Sequence, residues 1–218
     1  MLTLYHAPMS ANSRRVWITL LEKGLEFELV EMQLGSEQFQ QPEFLALNPF
    51  HHIPVLLDDG FRIIESLAIL DYLEAKYPIP AMLPSDAKDL AIVRMVQMVS
   101  VNELLPAIQP LSFKMMGIAS DSEKIEQALQ QVNKVLTLFE SLLSDSPYFG
   151  SQHLTFAEVV AGTLILWLPR MGDVALDDYP KLNAWSDRLT QRQSWQMTHP
   201  SPEEFEATKL RLQARMGV

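Results

Sequence analysis

The sequence predicts an α/β domain followed by an all-α domain. Three observations carry that expectation. Short apolar strand patterns alternate with helical ones up to residue 77, and beyond Pro84 no stretch reads as a strand. Asp59-Gly60 separates two short apolar runs, 55–57 and 61–64, which is a strong two-residue hairpin signal. Between 121 and 143, Ile125, Leu129, Val132, Leu136, Phe139 and Leu143 recur four and three apart, as on one face of a long helix.

Residues 2–6 read as a short buried strand stopped by Pro8. Ser10, Asn12 and Ser13 are all suitable caps for the helix that follows, which carries Val16, Leu20 and Leu21 and stops at Gly24. Residues 27–31 form a second strand, giving a β-α-β unit whose parallel strands need the helix as crossover. A short helix over 41–47, the 55–64 hairpin and a helix through Tyr77 complete the first domain, 1–78. Tyr77-Pro78-Ile79-Pro80 and Pro84-Ser85 mark a linker, 79–85, and residues 86–218 form the helical domain. Within it, 86–103 is a helix ended or bent near Pro106 and Pro110. Thr155-Phe-Ala-Glu158 is a capping box with Leu154 and Val159 as a hydrophobic staple. Helices follow over 180–192 and, as a packed tail, 203–215.

Composition narrows the function. A formal net charge of −10 argues against nucleic acid and against anionic membrane surfaces. With no cysteine, disulfides, thiolate metal sites and cysteine nucleophiles are excluded, so any sulfur chemistry must use a ligand's sulfur. Residues 1–5 lack the basic start and apolar run of a signal peptide. The longest nearly unbroken apolar run, 159–168, is about half a bilayer span. A cytoplasmic protein is expected.

The most informative stretch is 48–66. Asn48-Pro49-Phe50 forms a proline-bent turn, Ile53-Pro54 enters the hairpin, and Glu65-Ser66 opens a helix. A helix start there offers free N–H groups and a positive dipole end, which suit a carboxylate-bearing ligand. The plain structural alternative is a surface hairpin whose Ser66 merely caps the helix.

In order and spacing, Asn48-Pro49-Phe50…Ile53-Pro54-Val55-Leu56 and Ile64-Glu65-Ser66-Leu67-Ala68-Ile69 resemble the cytosolic glutathione transferases. Pro8-x-Ser10…Arg15-Val16, Glu22-Lys23-Gly24 and the Thr155–Glu158 box add to the resemblance, which covers essentially the whole chain and looks most like the serine-type, theta- and phi-like or related bacterial members. It implies a thioredoxin-like α/β N-terminal domain that binds glutathione, then an all-α domain that contributes the electrophile pocket. It implies a cis peptide before Pro54, main-chain pairing of Ile53 with the cysteinyl backbone, and Glu65 and Ser66 on the γ-glutamyl end. It also implies a homodimer with a detoxification role, with glutathione as co-substrate, an apolar electrophile as second substrate, and no metal.

Ser10 is the expected catalytic hydroxyl, donating to the glutathione sulfur, with Asn12 and then Ser13 as rivals. The alternative is that Ser10 only caps the helix. Tyr5 sits too early in the first strand to rank with them. His51-His52 departs from the family's Gly followed by Lys or Gln, and His52 is expected either at the glycyl end of glutathione or solvated in the loop. Gln40 and Gln41 are neutral where some classes carry basic contacts. Met9, Phe113 and Met116 are candidates for the electrophile pocket, and core or subunit packing is the expectation for Met95 and Met98. Arg14-Arg15 reads as a partly solvated helix face, and Phe50 as an exposed anchor for a second subunit. The alternative functions are a non-catalytic binding or regulatory relative and a glutathione-dependent isomerase or dehalogenase.

Overall fold

A computed structural model describes residues 1–118, 121–172 and 174–217. The chain forms two compact units, Met1–Pro80 with Gln193–Val218, and Ala81–Arg192. This grouping differs from the division at 78 and 86 by returning the last segment of the chain to the first unit.

The first unit is built on a four-stranded sheet in the order β2-β1-β3-β4, with β1 at Leu2–His6, β2 at Phe27–Glu31, β3 at Val55–Asp58 and β4 at Phe61–Ile64. β1 pairs parallel with β2 and antiparallel with β3, and β3 pairs antiparallel with β4. Helix α1, Ala11–Glu22, is the crossover that the parallel pair requires. It buries Val16, Ile18 and Leu20 and ends as expected, with Gly24 at φ 63° after the cap. Lys23, at the end of α1, donates to Glu74 Oε2 (2.6 Å) and to the carbonyls of Tyr77 (2.8 Å) and Pro80 (2.9 Å). That bundle anchors the far end of α3, Ser66–Lys76. Asp59 and Gly60 both have positive φ, 48° and 86°, which is the type I′ geometry that twists with the strands. A short 3₁₀ turn, Glu37–Gln40, precedes α2, Pro42–Leu47.

The second unit contains no strand among the described residues; its only extended pairing is a single bridge, Tyr148 to Ser151. Helix α4, Ala87–Val99, continues through a π turn, Ser100–Leu104, into α5, Leu105–Met115. The expected break at the prolines is thus replaced by a change of hydrogen-bond pattern ahead of them. Pro106 falls in the first turn of α5, where its missing N–H matters least, and Pro110 lies inside the helix. The run Ala87–Met115 is long and apolar enough, by length and composition, to cross a membrane, and 39% of its most apolar window is buried inside the chain.

Helix α6, Ser122–Leu142, buries Val132, Leu136 and Phe139 of the expected stripe. Helix α7, Phe156–Ile165, is buried over its whole length and starts at the predicted capping box. Glu158 closes that box and reaches further, to Phe149 N and the Trp185 indole, while Trp185 sits on α8, Pro180–Thr190. The C-terminal segment of the first unit holds α9, Gln193–Met197, and α10, Pro202–Met216. Sequence reasoning missed α9, and it missed the Ser201-Pro-Glu-Glu204 capping box that starts α10.

Candidate active site

Strand register assembles the site. Tyr5 pairs with Val55 and Val55 with Ile64, so the end of β1, the start of β3 and the end of β4 share one edge of the sheet. The starts of α1 and α3 follow from that same edge. Ser10, Ile53, Glu65 and Ser66 therefore all follow or precede strand ends on that one side of the sheet, although 56 positions separate the first from the last.

Ser10 is the N-cap of α1, and its Oγ accepts from Ser13 N at 3.3 Å. A hydroxyl that accepts a capping bond still has its own hydrogen to donate, so capping and donation to a ligand are compatible. Ser10 and Asn12 line an open cavity of about 400 Å³ with Leu34, Phe39, Gln40, His51, His52 and Ile53. Ser13 is fully buried, and its Oγ accepts from Ala7 N at 3.3 Å. Tyr5 packs in the apolar cluster of Phe39, Phe44 and Val55. Of the four candidates, only Ser10 and Asn12 face the cavity.

The opposite wall is the 48–54 loop. Asn48 holds it, with Nδ2 donating to His52 O (2.8 Å) and Oδ1 accepting from Phe50 N (3.1 Å). His51 adopts φ 58°, and its Nδ1 lies 3.0 Å from Phe39 O. The Ile53-Pro54 peptide is cis.

At the third corner, Glu65 occupies the N-cap of α3 with φ 67° and makes no side-chain cap bond, while Ser66 is the first helical residue. Ser66 is thus not the cap that the plain structural alternative supposes. Its Oγ instead accepts from Arg15 Nη1 at 3.3 Å. Arg15 is buried, its Nε and Nη2 have no hydrogen-bond partner among the described residues, and burial pushes its guanidinium down to about 10. Arg14 is buried too, with Nε donating to Thr198 O at 2.9 Å, and burial pushes it down to about 10. The expected solvated arginine face is corrected on both counts. α1 is covered by the sheet and α3, and also by the C-terminal segment, which sequence spacing does not reveal. Glu65, Ser66 and Pro54 are not among the cavity's lining residues.

Met9 is half-buried in the first unit; in the second, Phe113 is 37% exposed and Met116 is buried at the end of α5. None of the three lines the cavity. Among the described residues, no group of three or more His, Asp or Glu is placed to hold a metal ion.

The sheet order, with a parallel crossover beside an antiparallel hairpin and a cis-proline at the site, defines a thioredoxin-like domain, joined here to an all-helical unit. The N-terminal domain of glutathione S-transferases matches residues 4–81 and their C-terminal domain residues 85–193. The chain belongs to the glutathione S-transferase family. It is 31% identical over 210 residues to glutathione S-transferase F10 of Arabidopsis thaliana, covering 89% of this chain and 94% of that protein. It is 34% identical over 208 residues to glutathione S-transferase 3 of Zea mays, covering 90% and 92%. Among solved structures, glutathione S-transferase-I bound with lactoylglutathione superposes with a TM-score of 0.79 at 29% identity, over 91% of this chain and 98% of that one.

Proposed function

We propose that this chain is a glutathione S-transferase in which Ser10 stabilises the glutathione thiolate for attack on an apolar electrophile. The carrying observation is the shared sheet edge, which puts the Ser10 cap, the Ile53 main chain and the Arg15–Ser66 pair around one end of the domain. A free thiol ionises near pH 8.5, and lowering that by about two units takes roughly 2.7 kcal/mol. A charge-assisted hydrogen bond of about 1.5–3 kcal/mol from Ser10, with a smaller contribution from the start of α1, is enough. The thiolate then forms the sulfur–carbon bond while the electrophile's leaving group departs with its electron pair, or its strained ring opens.

In this reading Ile53 pairs with the cysteinyl backbone next to Pro54, and His52 faces the glycyl end. Glu65 meets the γ-glutamyl ammonium and Ser66 its carboxylate. Arg15 extends the set: its N–H occupies a Ser66 lone pair, leaving the Ser66 hydrogen for the carboxylate, and its buried charge favours an anion there. Met9, Phe113 and Met116 are assigned to the electrophile side, glutathione to the first unit and the electrophile to the helices of Ala81–Arg192. Phe50 (60% exposed) and Met95 and Met98 (45% and 44%) suit contact with a second copy in a homodimer. A cytoplasmic role in detoxification fits this chemistry.

The test is retention on immobilised glutathione, together with glutathione-dependent turnover of an aryl halide, an isothiocyanate and an epoxide. Folded protein that fails both overturns the enzyme reading, and retention without any turnover indicates a binding protein. Arg15→Met is expected to raise the KM for glutathione by about tenfold with kcat largely kept, since it removes a ground-state contact. Steady-state kinetics check this, with Ser66→Ala in the same background showing less than additive loss.

A further inference from the structure

The cavity beside Ser10 has a wall that neither family domain includes. Helix α10 begins at Pro202, beyond the matched C-terminal domain ending at residue 193. It is fastened to the first unit at several points. Arg211 Nε donates to Leu34 O at 3.2 Å, and Arg211 Nη2 to the buried Thr208 Oγ1 at 3.1 Å. Gly35, at φ 85°, lets the helix approach, because a Cβ there would meet Leu212 Cδ2 at 3.3 Å and Arg211 Cβ at 3.4 Å. Upstream, Ser194 hydrogen-bonds the Glu22 carboxylate, and Arg14 caps the carbonyl of Thr198. One turn apart on α10, Leu212 and Arg215 both line the cavity.

The cavity's charge is opposite to that of the chain. Acidic residues outnumber basic ones 27 to 17, yet the lining holds Arg215, His51 and His52 and no carboxylate. Gln40 is neutral at a position where some classes of the family carry a basic contact, so Arg215 is the lining's one permanent cation. The Arg215 side chain has no hydrogen bond or ion pair among the described residues. On the glutathione reading, the sulfur is at Ser10 and the γ-glutamyl end at Ser66. The glycine carboxylate then extends from Ile53 past His52 toward this wall.

We propose that α10 is part of the binding site and that Arg215 pairs with the glycine carboxylate of glutathione. This rests on the glutathione reading. The pairing gives the C-terminal helix a role in ligand affinity, and it makes affinity sensitive to salt because Arg215 is exposed.

The test is steady-state kinetics of wild type, Arg215→Gln and Arg215→Lys with a saturating neutral aryl halide, using glutathione and its glycine monoethyl ester. Arg215→Gln is expected to raise the KM for glutathione about three- to tenfold with kcat within about twofold, and Arg215→Lys to restore most of the loss. With the ester, wild type and Arg215→Gln are expected to share one KM. An unchanged KM, an equal rise for acid and ester, or a fall in kcat instead overturns the proposal. Wild-type protein that neither stays on immobilised glutathione nor shows glutathione-dependent turnover overturns the underlying reading and this one with it; a competent wild type failing the ester comparison overturns this one alone.

Discussion

Ser10→Ala is expected to lower the conjugation rate at pH 7 by about ten- to thirtyfold, and to move the rising limb of the pH–rate profile about two units toward alkaline pH. The reason is the fraction of thiolate. With the thiol poised about two units below its free value, most of the bound glutathione is ionised at neutrality, and without the Ser10 hydrogen only a few per cent is. Near pH 9 the two enzymes are expected to converge, which a simple packing defect would not produce. The same substitution removes the N-cap of α1, at roughly 1 kcal/mol of stability, so denaturant midpoints should be recorded beside the kinetics. An unchanged profile transfers the role to Asn12, the other candidate facing the cavity.

The second large effect is on stability. Glu158 is fully buried, and its carboxylate accepts from Phe149 N (2.8 Å), Thr155 N (2.8 Å), Thr155 Oγ1 (2.6 Å) and Trp185 Nε1 (3.3 Å). Burial pushes its carboxyl up, against the pull of these donors. One side chain thus closes the capping box of α7, fixes the loop at Phe149 and holds α8 through Trp185. Glu158→Ala strands all of those donors in the core and leaves a void, an expected loss of about 4–5 kcal/mol. Against a typical total of about 5–15 kcal/mol, that is enough to leave the variant largely unfolded in mild urea. Glu158→Gln keeps one acceptor oxygen but turns an amide toward backbone donors, and about half that loss is expected. Urea titration followed by tryptophan fluorescence measures both.

The parts of the fold that were legible in the sequence are those with local causes. Asp59-Gly60 demands a tight hairpin whatever surrounds it, and the Thr155–Glu158 box carries its own hydrogen bonds. The boundaries of β2 at Phe27–Glu31 and β4 at Phe61–Ile64 follow from apolar runs between turn residues. Arg14 and Arg15 show where locality ends. Two adjacent arginines on a helix read as solvated, and their burial depends on Thr198, 184 positions away, and Ser66, 51 positions away. Ser10, Ile53, Glu65 and Ser66 were proposed for the site through family resemblance. The α10 wall was not, because no spacing rule returns the end of a chain to its beginning. The Ser201–Glu204 box was readable as a helix start, but it says nothing of where that helix packs.

The two-part composition of the first unit bears on how the protein is made. A ribosome delivers residues 1–80 first, then the whole of Ala81–Arg192, and only then Gln193–Val218. Until that last stretch emerges, the Arg14 guanidinium lacks the Thr198 carbonyl and Gly35 lacks the helix it makes room for. During synthesis the N-terminal sheet therefore exists for a time as an incomplete body, and completion awaits residues 193–218, so a chain terminated before them lacks part of the unit that was made first.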